Sequence, residues 1–187
     1  MADPEEILLT ADEKMDGALV AFRRDLNGIR TGRAHPSLIE MLPVDYYGAI
    51  TPLKQLGSIN APEARMLTIQ VWDRSAVSAV QKAIQGSDLG LNPAIDGQTL
   101  RLPIPPLTEQ RRKEFVKLLH HKTEDARVAV RNVRRHAHDD LRKAEKEGSV
   151  SQDDLKRHAE ELQKLTDDHI ATIDAESKKK EAELLEA

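Results

Sequence analysis

Residues 137–162 read AHDDLRKAEKEGSVSQDDLKRHAEEL, and this stretch decides the architecture. Ala137, Leu141 and Ala144 recur at steps of four and three, the spacing of one face of an α-helix. The pattern halts at Glu147-Gly148, and Ser151 with Asp154 three residues on supplies the start signal of another helix. Leu155, Ala159 and Leu162 then resume the same periodicity. A turn this short forces the two helices to run antiparallel.

Working outward, the seam upstream of the turn extends back through Val133, Val130 and Ala126 to Leu119, with Thr108 as the cap. At ~1.5 Å per residue this helix reaches roughly 60 Å. Downstream, the seam of the last helix continues through Thr166, Ile170 and Ile173, with Leu184 further on. A third stripe opens the chain: Leu8, Ala11, Met15, Ala18, Phe22, Leu26 and Ile29. Asp3 precedes it as a cap, Pro4 suits the first helical position, and Glu6 stands three after the cap as in a capping box. A stripe of this kind cannot be buried by one helix alone, so the three helices are expected to share one core.

The residues between the first and second helices read differently. Val44-Asp45-Tyr46-Tyr47-Gly48 suits a strand and turn, and Arg65 to Trp72 is rich in residues that favour a pleated surface. Asp96-Gly97, between Ala94-Ile95 and Thr99–Leu102, is a hairpin signal. A short amphipathic helix fits Ser75 to Gln85, with Ala76, Val77, Val80, Ala83 and Ile84 on one face and Gly86 at its end. Pro103-Ile104-Pro105-Pro106-Leu107 forms a stiff extended exit, because proline fixes φ and biases its predecessor away from helix. The expected fold class is therefore α+β. Residues 1–30 and 107–187 form an antiparallel three-helix bundle, and residues 31–106 form a small β/α/β domain inserted between its first and second helices.

Composition limits the function. The 187 residues include no cysteine, which excludes disulfides, thiolate nucleophiles and cysteine-ligated metals. The start, MADPEE, is acidic and is read as neither a secretory signal nor a transit peptide. No apolar run approaches the ~20 residues needed to span a bilayer, so a cytoplasmic protein with no membrane association is expected. No nucleophile elbow and no phosphate-binding glycine loop is present. The seven histidines (His35, His120, His121, His136, His138, His158 and His169) include no i, i+4 pair and no H-E-x-x-H, and are read as surface or seam residues rather than ligands. Neither enzyme activity, nor a cofactor, nor a metal site is expected. Trp72 and the pair Tyr46-Tyr47 are read as packing of the small domain, the alternative being a stacking platform for single-stranded bases.

Charge is unevenly placed. The net charge is −4, yet residues 108–150 carry 12 basic and 8 acidic groups while residues 151–187 carry 6 and 11. Within the basic segment Arg127, Arg131, Arg134 and His138 recur at steps of four, three and four, and Arg135 lies beside them. Four helical residues advance ~6 Å, comparable with the separation of successive phosphates. The planar guanidinium grips phosphate oxygens through two bonds. From residue 126 to 138 the four arginines meet no acidic residue in sequence. Arg30 and Arg33, at the end of the first helix, can extend the surface. The alternative is an ordinary solvated helix face.

Several motifs, in order along the whole chain, resemble one family. They are IRTGRA (29–34), YYG (46–48) with TPL (51–53), SDLGLNP (87–93), PPLTE (105–109) with Arg111-Arg112, and VAVRNVRR (128–135). The family is the ribosome recycling factors. The resemblance implies an L-shaped molecule with the outline of transfer RNA and the bundle as its long arm. It implies that the bundle lies on large-subunit ribosomal RNA of the post-termination ribosome, and that elongation factor G with GTP then drives the subunits apart, freeing mRNA and tRNA. It also implies that VRNVRR carries the RNA-binding arginines, with Arg134 foremost and Arg30 and Arg33 near ribosomal RNA. Arg127, Arg131 and Arg135 complete the expected RNA-binding set. The hinge is expected at Arg30, Thr31, Gly32 and Arg33 on one strand of the crossing and at Pro103, Ile104, Pro105 and Pro106 on the other. A monomer is expected. The competing class is a coiled-coil adaptor that docks through its seams.

Overall fold

A computed structural model describes residues 3–186, and the chain divides into two compact units. One comprises the chain up to Arg30 together with Glu109–Glu186, the other Thr31–Thr108. Residues 1, 2 and 187 of the expected bundle lie outside the described residues. Leu107 and Thr108 go with the second unit, since the helix begins only at Glu109, after the two prolines. The described residues form four helices, α1 (Pro4–Asn27), α2 (Val77–Gln85), α3 (Glu109–Lys146) and α4 (Gln152–Glu186). They also form six strands, β1 (Pro43–Tyr46), β2 (Ala49–Pro52), β3 (Gly57–Glu63), β4 (Met66–Val71), β5 (Ala94–Asp96) and β6 (Thr99–Pro103). The α+β class read from the sequence holds unit by unit.

In the first unit the caps of α1 and α4 sit where the sequence puts them. Asp3 accepts from the Glu5 N–H at 3.1 Å, satisfying one of the orphan donors at the start of α1. The Asp154 N–H donates to Ser151 Oγ at 3.1 Å, and the Ser151 hydroxyl donates back to the Asp154 carboxylate at 2.8 Å. The seams differ in detail from the expected ones. In α1 the buried residue is Leu19, while Ala18 is half-buried, because two steps of four from Ala11 are followed by a step of three to Phe22. In α3 Val133 is half-buried, and Thr123 fills the gap between Leu119 and Ala126. Thr123 escapes a hydrophobicity pattern because it is polar. Its hydroxyl lies 2.7 Å from the Leu119 carbonyl, to which it donates, and 2.8 Å from Ser177 Oγ of α4, so it is buried without an unpaired group.

Cross-helix contacts give the directions. Between α3 and α4, bonded pairs lie 29, 47 and 54 residues apart with increasing distance from the turn, as antiparallel packing requires. Between α1 and α4 both bonded pairs, Arg23 with Glu176 and Asp16 with His169, are offset by 153 residues, as parallel packing requires. The chain thus runs up, down and up. Burial is the largest single influence and works against a charge on His169, but the hydrogen bonds to Asp16 and the Leu165 carbonyl, with the charges of Asp16 and Asp12, together outweigh it. The imidazole is held above its ordinary value.

In the second unit β1 and β2 form a two-stranded hairpin, and the other strands form an antiparallel sheet in the order β3-β4-β6-β5. Leu67, Ile69 and Val71 alternate along β4 and meet Leu100 and Leu102 of β6 in a core closed by Val80 and Ile84 of α2. The same alternation turns Trp72 the other way. It is 64% exposed, and Tyr47 is 79% exposed, so the packing assigned to them from the sequence is wrong for both. Tyr46 alone of the three packs against the core. The hairpin expected at Asp96-Gly97 forms one residue later. Asp96 pairs with Thr99, and Gly97 (φ 63) takes the first central position of the turn, as in a type II′ turn. Strand β3 went unread because Gly57, Asn60 and Pro62 favour turns. It pairs on one side only, and its register shifts between Asn60 and Glu63.

Tyr46 is fixed by its hydroxyl, which donates to Asp73 at 2.6 Å, while Asp73 also accepts from the Ser75 hydroxyl at 2.7 Å and the Ser75 N–H at 2.9 Å. These donors, Tyr46 foremost, hold the Asp73 carboxyl below its ordinary range, and the Tyr46 phenol is correspondingly raised. A lowered carboxylate contributes stability above its unfolded value and loses it as pH falls through the folded one. Tyr46→Phe is therefore expected to lower hydrogen-exchange protection of the β4 amides near neutral pH. The difference from wild type should shrink below about pH 4, and a pH-independent difference would remove the carboxylate from the account.

Candidate nucleic-acid interface

The α3 seam faces its partners with a narrow line of small and aliphatic side chains, so the opposite flank projects outward along most of the helix. Arg127, Arg131 and Arg134 lie along the edge of the seam and are half-buried, Arg127 and Arg134 against α4, while Arg135 faces outward. Their surroundings divide them. Arg127 Nη2 lies 2.6 Å from Asp174 Oδ1 of α4, Nε donates to the same oxygen at 2.8 Å, and Nη1 lies 3.1 Å from Glu124. The bond to Asp174 is the largest cause holding the Arg127 guanidinium above its ordinary value, with Glu124 next. Arg131 shares Glu124 at 3.4 Å. Sequence spacing shows no acid among the arginines, but α4 brings Asp174 beside Arg127 from 47 residues away.

Arg134 is held differently. Its Nη1 donates to Gln163 Oε1 of α4 at 2.9 Å, and the Gln163 amide donates in turn to Asp167 at 2.9 Å. A neutral amide orients the guanidinium without cancelling its charge. Arg134 and Arg135 also line a groove between α3 and α4 together with His138, Asp139 and Gln163. Arg135 is exposed. The positive end of the stripe is thus centred on Arg134 and Arg135, while Arg127 serves as a tie between helices. Gln163, Asp167 and Asp174 were missed by the sequence reading. Their steps of four and seven along α4 mark one face, and that spacing was the available signal.

Comparison with known proteins is consistent along the whole chain. Residues 22–185 match the family described as Ribosome recycling factor. The chain belongs to the ribosome recycling factor family. A ribosome-recycling factor of Geobacillus sp. (strain WCH70) is 56% identical over 182 residues, covering 97% of this chain and 98% of that protein. That of Bacillus subtilis (strain 168) is 51% identical over the same shares, and that of Methylobacterium nodulans is 51% identical over 100% of both. A solution structure of the ribosome recycling factor superposes with a TM-score of 0.78 at 44% identity, covering 100% of both chains. A second structure, with a TM-score of 0.69 at 45% identity, covers 98% of this chain. It belongs to models of the T. thermophilus ribosome recycling factor and E. coli elongation factor G bound to the E. coli post-termination complex.

The remaining residues expected from this family's motifs lie apart from the stripe along the chain. Arg30 closes the first unit, and Arg33 belongs to the second; both are exposed. Gly32 between them adopts φ 77, a conformation that favours glycine. On the return crossing Pro103 ends β6, paired with Met66, and the Ile104 N–H donates to the Arg65 carbonyl at 2.8 Å. Pro103 and Ile104 are thus held within the second unit, whereas Pro105 and Pro106 lie outside any strand or helix.

The division of the arginines makes a stability prediction. Arg127→Ala removes a tie whose arginine side chain is about one-third exposed, and is expected to cost about 0.5–1 kcal/mol in urea unfolding. Arg134→Ala leaves only a neutral amide at the surface and should change stability by less than about 0.5 kcal/mol. Equal losses in the two variants would contradict the division.

Proposed function

We propose that the protein acts as a ribosome recycling factor in the bacterial cytoplasm, by binding rather than by catalysis. It engages large-subunit ribosomal RNA of the post-termination ribosome and, with elongation factor G and GTP, promotes separation of the subunits and release of mRNA and tRNA. The observation that carries this reading is likeness over the full chain, both to curated recycling factors and to a recycling factor placed on a post-termination complex with elongation factor G. Among the described residues no helix is long and apolar enough to cross a membrane.

Contact with RNA is assigned to Arg131, Arg134 and Arg135, with Arg30 and Arg33 as further contacts and Arg127 in a supporting role. The physical basis is clearest at Arg134, whose charge is oriented by Gln163 but not cancelled. Each phosphate contact releases condensed counterions, so affinity falls with salt in proportion to the number of contacts. Arg134→Ala is expected to weaken co-sedimentation with purified large subunits and to reduce the slope of log affinity against log salt by about one. An unchanged slope and affinity would return the stripe to an ordinary solvated face.

The crossings are assigned the hinge. Ala34 is anchored to the second unit by its N–H to the Ala64 carbonyl at 2.7 Å, and Ile104 by its bond to Arg65. The pivot residues are therefore Arg30–Arg33 and Pro105–Pro106, with Pro103 and Ile104 as its fixed edge. Gly32 at φ 77 cannot become proline without moving the backbone, because proline holds φ near −65°. Gly32→Pro should retain binding to large subunits while losing subunit splitting with elongation factor G and GTP. Normal splitting in that variant would sink the hinge.

A further inference from the structure

The groove between α1 and α4 holds a cluster that has no part in the arginine stripe. Asp12 and Asp16, one turn apart on α1, face His169 of α4. His169 Nε2 lies 2.8 Å from Asp16 Oδ1 and 3.7 Å from Asp12 Oδ1, and the three candidate ligand atoms all fall within 4.8 Å of one another. The His169 side chain is 10% exposed, whereas that of Asp16 is 65% exposed. On its other edge His169 Nδ1 lies 2.7 Å from the Leu165 carbonyl oxygen. A carbonyl and a carboxylate can only accept, so Nδ1 donates to Leu165 and Nε2 donates to Asp16; a metal ion would displace the Nε2 proton, leaving that nitrogen aimed between the two carboxylates.

We propose that His169, Asp16 and Asp12 form a binding site for a borderline divalent metal ion, of the class that includes Zn²⁺. One imidazole nitrogen with two carboxylates is a donor set such ions accept, with water completing the shell. The bond from Nδ1 to a backbone carbonyl is the arrangement that orients metal-bound histidines and sharpens their basicity. Around a tetrahedral ion with bonds of ~2.0–2.1 Å, ligand atoms stand about 3.3 Å apart. Reaching that spacing requires the Asp16 oxygen to move out by a fraction of an ångström and the other atoms to draw in. The exposure of Asp16 leaves it free to do so. The adjoining groove offers an approach lined by Asp12, Glu161 and Asp168 with one lysine, Lys164, so its field draws cations. A buried nitrogen ligand and only three protein donors disfavour Mg²⁺ and Ca²⁺, which seek six or more oxygens. The sequence offered no hint, since the histidine and the aspartates are 153 residues apart or more.

The test is isothermal titration of the full chain, freed of metal by chelator, with ZnCl₂ at about pH 8, where proton competition for the ligands is weak. One Zn²⁺ per chain is expected, together with a higher thermal midpoint. His169→Gln and Asp16→Asn should each lower affinity at least tenfold, and a large excess of Mg²⁺ should not compete. Asp16 is mostly exposed, so Asp16→Asn retains the fold, which far-ultraviolet circular dichroism checks. Co²⁺ as a second probe should give the visible absorption of a four-coordinate site in wild type and not in Asp16→Asn. Failure of wild type to bind Zn²⁺ at millimolar concentration would overturn the proposal. So would equal affinity in wild type and both variants, which would put the ion elsewhere, for example at His120 and Glu181.

Discussion

The narrow seam of α3 is the constraint on which the first unit depends. Over 38 residues the helix buries Leu119, Thr123, Ala126, Val130, Ala137, Leu141 and Ala144, three of them alanines. Small side chains let neighbouring helices approach closely, but they remove little apolar area each, and at about 25 cal/mol per Å² the gain per contact is modest. Length compensates, because the seam is shared by α1 on one side and α4 on the other along nearly its whole extent. Such a repetitive seam specifies register weakly. Register falls to the polar ties: Thr123 with Ser177 inside the seam, and Arg23 with Glu176, Asp16 with His169 and Arg127 with Asp174 at its edges. A slip of α4 by one turn would break all four together, and a slip of α1 or of α3 would break two.

That division explains what could be read from the sequence. The seams, caps and turn at Gly148 are local or periodic, so three long helices and the direction of α3 against α4 were legible, though α1 ends at Asn27 rather than at the Arg30 where its apolar pattern stops. The strands with strong propensity, β1, β4 and β6, were legible for the same reason. Strand β3 was not, since its residues favour turns and its place in the sheet comes from pairing with β4. Thr123 and Ser177 were not, because polar residues enter a core only when their partners are known. Trp72 was misread because its size suggested burial, while the parity of β4 already placed it on the opposite face from Leu67, Ile69 and Val71.

The arginine stripe shows the same limit at the level of function. Periodicity tells which side chains share a face of one helix, but not which of them a neighbouring helix has already engaged. Arg127 and Arg134 are indistinguishable in a helical wheel, both lying on the edge of α3 beside α4. One meets a carboxylate of α4 and the other an amide. A carboxylate cancels the charge that a phosphate would need, and an amide does not. The family resemblance pointed to Arg134, and the structure supplies a physical reason why that position differs from Arg127.

Charge is also divided between grooves of the bundle. The α3–α4 groove carries Arg134 and Arg135, with Asp139 nearby, whereas the α1–α4 groove carries Asp12, Glu161 and Asp168. The acidic α1–α4 groove opposes approach of a polyanion by like charge, whereas Arg134 and Arg135 in the α3–α4 groove attract it. A divalent cation seated at His169 would neutralise part of that repulsion while tying α1 to α4. Orientation and stiffness of the bundle would then respond to the same ion.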